Sequence, residues 1–299
     1  MNEERDSERN APSHGRSTRG PGTNFELLCY SRAVRVFLFT LVLLSGCSRD
    51  FKPPTDSVLL PLADRQWDPE APQEGWCGET SIQLAAGWYG AFVSQAKVNA
   101  LGQPKTPDLW EHDVPTALRA LNMRFERGPK SRAALLTFMV EQLRLGRPVV
   151  LGTKIIPTDH PEWHVDHLVL AVGFSPEGLI IDTNVEDGQL TVSWAGLQSA
   201  EGDKTYSLVN QSGEVFGFAV TGFYEPSPLP VRVSIAEQRA DQATVDVVVP
   251  ELREGLSYEL LRNGEVLEQF TAKKPERKLR TVVPVNEVAR FTARYATTK

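Results

Sequence analysis

The stretch Gln73-Glu74-Gly75-Trp76-Cys77-Gly78-Glu79-Thr80-Ser81 sets a thiol where an irregular segment runs into a helical pattern. Amide N–H groups and the dipole at a helix start favour a thiolate, which is the nucleophilic form. Gly78 leaves room for a substrate backbone to approach. Such a thiol needs a base within hydrogen-bond reach. His167, in Asp166-His167-Leu168-Val169-Leu170-Ala171-Val172-Gly173-Phe174, opens an apolar run of β type. A strand is a rigid mount for an imidazole. The next such run ends Leu179-Ile180-Ile181-Asp182-Thr183-Asn184. If the two runs form a hairpin, Asp182 returns beside His167, accepts its second ring N–H and fixes the tautomer. Asn184 is the alternative for that role. Cys77 as nucleophile, His167 as base and Asp182 as orienting group make up the chemistry of attack on a carbonyl.

The elements that must carry these residues follow from periodicity. Ile82, Ala85, Ala86 and Tyr89 fall on one face of a helix over Gly78–Tyr89. Ser94 to Leu101 reads as a second helix with Ser94 as N-cap, and Val114 to Leu121 as a third with Pro115 near its start. Ser131 to Leu145 reads as a fourth, closed by Gly146. The pattern then changes to short β-type runs at 148–153, 167–174, 179–182, 189–194 and 216–224, bounded by glycine and proline. Helices followed by strands predict an α+β domain over residues 71–225. At Glu225-Pro226-Ser227-Pro228-Leu229-Pro230 the composition breaks. Six further runs follow at 231–236, 243–249, 257–262, 265–270, 279–285 and 288–295. Asn263-Gly264 between two of them is a two-residue hairpin signal. Residues 226–299 therefore read as a small all-β sandwich of immunoglobulin or fibronectin type III character.

The chain has 299 residues and a net charge of −6, with no block of lysine and arginine, so no nucleic-acid partner is expected. Its three cysteines, Cys29, Cys47 and Cys77, form no CxxC pair of the kind that holds structural zinc. Asp159, His160, Glu162, His164, Asp166 and His167 form a rival cluster, but a loop rich in proline and acids is more often simply solvated, and the helical HExxH spacing is absent. No metal and no cofactor are expected.

The first 46 residues are not fold material. A basic stretch ending at Arg35 precedes an apolar run, Val36 to Leu44, that is shorter than the roughly 20 residues a spanning helix needs. The run ends Leu44-Ser45-Gly46-Cys47, which resembles a bacterial lipobox. That resemblance implies removal of residues 1–46, acylation of Cys47 and a lipoprotein anchored in the cell envelope, periplasmic or at the outer membrane. The polar region upstream is long and acid-rich for a signal, so the translation start stays open, with one further downstream as the alternative. Residues 47–70, with Pro53, Pro54, Pro61 and Pro69, read as a tether. Cys77 would then be the one free thiol of the mature protein, and exported proteins usually pair their cysteines.

Cys77-Gly78 opening a helix, His167 opening a strand and Asp182 ending the next resemble, in this order, the papain-like cysteine peptidases. The bacteriocin-processing leader peptidases and their relatives are the nearest in look. The resemblance covers residues 71–225. It implies a thiol protease that cleaves a peptide or protein substrate through a thioester. It also implies that a glutamine upstream of the cysteine helps form the oxyanion hole, and Gln73 is the nearest match. Three positions depart from the family: Thr183 follows Asp182 where proline is usual, Glu79 replaces a common proline, and Gln73 lies nearer the cysteine than the family's glutamine. Two other classes stay open. One is a papain-like binding lipoprotein that has lost catalysis. The other is a structural or adhesion lipoprotein acting through its β-domain. A transpeptidase variant of the same thiol chemistry also fits.

Overall fold

In the computed structural model, residues 50–62, 76–155, 166–185, 188–199, 206–208 and 215–296 are described. In chain order the first elements are β1 (Val58–Leu59), α1 (Cys77–Trp88), β2 (Ala91–Phe92), α2 (Gln95–Gly102) and α3 (Val114–Ala120). They are followed by β3 (Met123–Arg127), α4 (Arg132–Arg144), β4 (Val149–Ile155), β5 (Asp166–Phe174) and β6 (Gly178–Asp182). Next come β7 (Gln189–Ser193), α5 (Trp194–Gln198), β8 (Tyr206–Ser207) and β9 (Gly217–Phe223). The last part contributes β10 (Arg232–Gln238), β11 (Gln242–Val249), β12 (Ser257–Arg262), β13 (Glu265–Thr271), β14 (Arg277–Pro284) and β15 (Ala289–Tyr295). The fold is thus mixed helix and antiparallel sheet, with strand in the majority.

The main sheet runs β3-β9-β4-β5-β6-β7, with β1 pairing on β5 and β8 on β4. Alternation along β5 explains its unbroken apolar sequence. Leu168, Leu170 and Val172 join a core with Ile82, Ala85 and Ala86 of α1 and with Val114, Ala117 and Leu118 of α3. Val169 and Ala171 point the other way, to Leu135, Leu136, Met139 and Leu143 of α4. Helices therefore cover both faces, and both sets of side chains are out of water.

Local signals set the helix starts. Ser94 accepts a hydrogen bond from the Lys97 N–H at 3.1 Å, a working N-cap. Pro115 sits in the first turn of α3, where a missing N–H costs nothing. Part of the stretch expected to be a tether is built into the sheet instead. Phe51 and Leu60 are buried, β1 pairs with Phe174 and Gly173, and the Arg144 guanidinium forks onto Asp56.

The last strands form two small sheets, β10-β11-β14 and β13-β12-β15-β2. Their inward side chains, Val245, Val247 and Val283 from one and Tyr258, Leu260 and Phe291 from the other, share a core with Phe92. Strand β2 comes from the first half of the chain: Ala91 and Phe92 oppose Arg290 and Ala289. Beside it, α1 packs directly on β10, since a Cβ on Gly87 would lie 2.5 Å from the Val233 carbonyl oxygen. The Arg232 guanidinium sits 4.4 Å over the Trp88 ring in the same contact.

Candidate active site

Trp76 turns the chain into α1 with φ 72° and ψ 30°, the left-handed region that a tryptophan enters only at a cost. Its indole N–H donates to the Pro107 carbonyl at 3.1 Å, which helps hold it there. Cys77 follows as the first helical residue. Its sulfur accepts the Leu168 N–H at 3.4 Å, and the Gly78 N–H also faces it. Gly78 is needed for this approach, because a Cβ there would meet Leu168 Cδ1 at 2.8 Å and Leu109 Cβ at 3.2 Å.

His167 lies opposite Thr153 across β4–β5, and its carbonyl accepts the Thr153 hydroxyl at 3.2 Å. Its ring Nε2 is 2.7 Å from the Thr183 hydroxyl. That oxygen also accepts the Val185 N–H at 3.4 Å. The Tyr206 ring stands 6.3 Å from the imidazole, centre to centre. Thr183, just past the end of β6, is therefore the side chain that meets the His167 ring.

The ring contact expected of Asp182 is made by its neighbour. Asp182 pairs with Leu170 across β5–β6 and with Gln189 across β6–β7, and it is buried. Neighbours in an extended chain point to opposite sides, so when Thr183 meets the ring Asp182 is turned away from it. Neither Asp182 nor Asn184 makes the bond to Nε2. Gln73 and Cys47 lie outside the described residues, as do Asp159, His160, Glu162 and His164. Among the described residues no group of three or more His, Cys, Asp or Glu side chains could hold a metal ion. Among them also, no helix is long and apolar enough to cross a membrane.

Burial dominates the electrostatics. It pushes the Cys77 thiol up to about 12, against the Leu168 and Gly78 N–H groups, with Glu79 and Asp108 adding to the rise. Burial also pulls the His167 imidazole down to about 3. Among the described residues no hydrogen bond joins the sulfur to the ring; the link is the main chain, through the N–H of the residue after His167. The resting pair is a neutral thiol and a neutral imidazole, not an ion pair.

A pH profile tests this. Alkylation of Cys77 by iodoacetamide should rise about tenfold per unit from pH 7 to 10 without levelling, because the thiolate fraction keeps growing up to a pKa of about 12. A rate that is flat across neutral pH would instead reveal a preformed thiolate–imidazolium pair. The measurement is mass-spectrometric labelling against time.

Thr183 and the network around Glu79 were not foreseen from the sequence. The unusual residues at those two positions were visible, but not what they touch. Neither a scan against protein-family models nor a search of the curated proteins finds a match to this chain.

Proposed function

We propose that the protein is a thiol hydrolase of papain-like type that cleaves peptide or related amide bonds. The observation that carries the reading is the convergence of a helix-start thiol on the strand whose first residues include a histidine held by a second side chain. Cys77 Sγ attacks the substrate carbonyl carbon while its proton passes to His167, whose ring rests near Tyr206, on the side of β5 away from Leu168, and, among the described residues, has no hydrogen bond to the sulfur. In the tautomer whose Nε2–H donates to the Thr183 hydroxyl, Nδ1 carries the lone pair that accepts the proton. Because the resting pair is neutral, proton transfer accompanies attack rather than preceding it. The oxyanion forms beside the first-turn N–H groups of α1, which have no helical partners. The C–N bond then breaks, the amine leaves with the proton from His167, and a thioester remains. Water, deprotonated by His167, attacks the thioester and releases the acid and the thiol.

The same reading includes a papain-like domain, an immunoglobulin-like sandwich after it, and an acylated Cys47 that holds the protein in the cell envelope. The experiment is digestion of a degenerate peptide library followed by mass spectrometry. Wild-type protein yields products. Thr183→Val slows them by roughly ten- to a hundredfold, since the imidazole loses its orienting bond. Asp182→Asn stays closer to wild type. The reverse order would return the orienting role to Asp182, and no product from the wild-type protein would end the hydrolase reading.

A second reading rests on the missing sulfur–imidazole hydrogen bond and the two burial-driven shifts. It is a papain-like binding protein without turnover. Peptide retention unchanged by Cys77→Ala, with no cleavage, would support it.

A further inference from the structure

Glu79 is fully buried two residues beyond Cys77. Its Oε1 accepts the Leu109 N–H at 2.9 Å and the Asn99 side-chain amide at 2.7 Å. Asn99 also donates to the Pro107 carbonyl at 2.8 Å, the oxygen that receives the Trp76 indole N–H. Trp76, Glu79 and Asn99 thus close one short segment, Pro107–Leu109, over the start of α1. Leu109 fills the space left by Gly78 and Gly102. Glu79 Oε2 is buried, with no hydrogen-bond donor facing it among the described residues.

We propose that Glu79 is a proton-operated latch: its neutral carboxyl holds Pro107–Leu109 closed against the helix start that carries Cys77, and loss of the proton favours opening. It is a positioning residue. A carboxylate with one bare oxygen in an apolar site is costlier than a carboxyl, and opening lets water reach it. The charged group facing it from the segment is Asp108, and α1 presents the neutral thiol of Cys77. The helix α2 presents the neutral amide of Asn99. Burial raises the carboxyl to about 7 despite its hydrogen bonds, and Asp108 adds to the rise. In the open state the group returns to its ordinary 4.5. The opening constant therefore grows by about 80-fold between pH 4.5 and 7 and roughly doubles once more above that. The latch stands on these contacts alone. Its effect on turnover rests on the reading of Cys77 as the nucleophile.

The test is amide hydrogen exchange in the full chain, read by mass spectrometry on peptides covering residues 103–113 and corrected for the intrinsic rate. Protection should fall by about 80-fold from pH 4.5 to 7, by about twofold more up to pH 8, and then hold steady. Glu79→Gln keeps an acceptor without a titrating group, so its protection should not change with pH. Glu79→Ala should show low protection at every pH. A flat wild-type profile overturns the latch. So does an unchanged slope in Glu79→Gln, or the same slope in the amides of β4. An inert Cys77 would leave these results untouched, so failure of the hydrolase reading is separate from failure of the latch.

Discussion

Cys77→Ala is expected to lower peptide cleavage by roughly four orders of magnitude or more, to the uncatalysed background, while the fold survives. The size follows from the mechanism. Without the sulfur there is no thioester, and no other thiol stands among the described residues to replace it. Survival of the fold follows from the site. The side chain is small, and its loss removes one weak N–H···S bond from Leu168. That costs about 1 kcal/mol. Cys77→Ser is the sharper control, because it keeps an acceptor for that N–H but is a poorer nucleophile at a neutral resting site. The assay is turnover of any peptide that the wild-type protein cleaves, alongside a urea melt. Retained turnover with an intact melt would move the chemistry elsewhere in the chain.

The second large effect concerns acid. His167 is held neutral by burial, with its folded-state value near 3 against an ordinary 6.5. The folded protein therefore binds fewer protons than the unfolded chain between those limits, and stability falls as pH drops through them. The full span is worth about 5 kcal/mol. Glu79 has the opposite sign. Its folded-state value is raised from 4.5 to about 7, so its contribution is greatest below 4.5 and is lost as pH rises through that window. The two slopes oppose one another from pH 6.5 to 4.5. Wild-type stability should change little there and fall only below it. His167→Gln should remove the fall, and stability should then rise by about 3 kcal/mol on going from pH 7 to 4.5. Glu79→Gln should expose the histidine slope from pH 6.5 downward. Urea midpoints taken every half unit, as differences from wild type, cancel the surface carboxylates that all variants share. Parallel curves for wild type and His167→Gln would refute the buried neutral imidazole.

Much of the frame was legible because it rests on local chemistry. Ser94 caps its helix as expected, and Asn263 and Gly264 take the positive φ values, 51° and 87°, that a two-residue hairpin turn demands. Five elements were not legible. Strands β1, β2, β3 and β8 and helix α5 are short, and tertiary packing forms them rather than pattern. Trp194, read as the end of a strand, begins α5 because Ser193 caps it by accepting the Gly196 N–H at 3.0 Å. Phe51 stands alone before a proline pair, and Leu60 ends an apolar run of only three residues closed by Pro61, so nothing local distinguished their burial from a linker. At the site, the order cysteine, histidine, acid could be read along the chain. Which of two neighbours, Asp182 or Thr183, meets the ring is a matter of one residue of register. Register is decided by the whole sheet.

The pairing of β2 with β15 also bears on how this chain can be taken apart. A cassette that can be lost without harm keeps its hydrogen-bonded ladders to itself. Here the ladder crosses the proline-rich junction, and Phe92 is a core residue of the sheets that follow it. Cutting at residue 226 would strip Ala91 and Phe92 of their partners and uncover the Gly87 face of α1. A truncated chain would therefore report on lost folding cooperativity before it reported on what the C-terminal sheets do. Substitutions on their outer strands are the cleaner instrument.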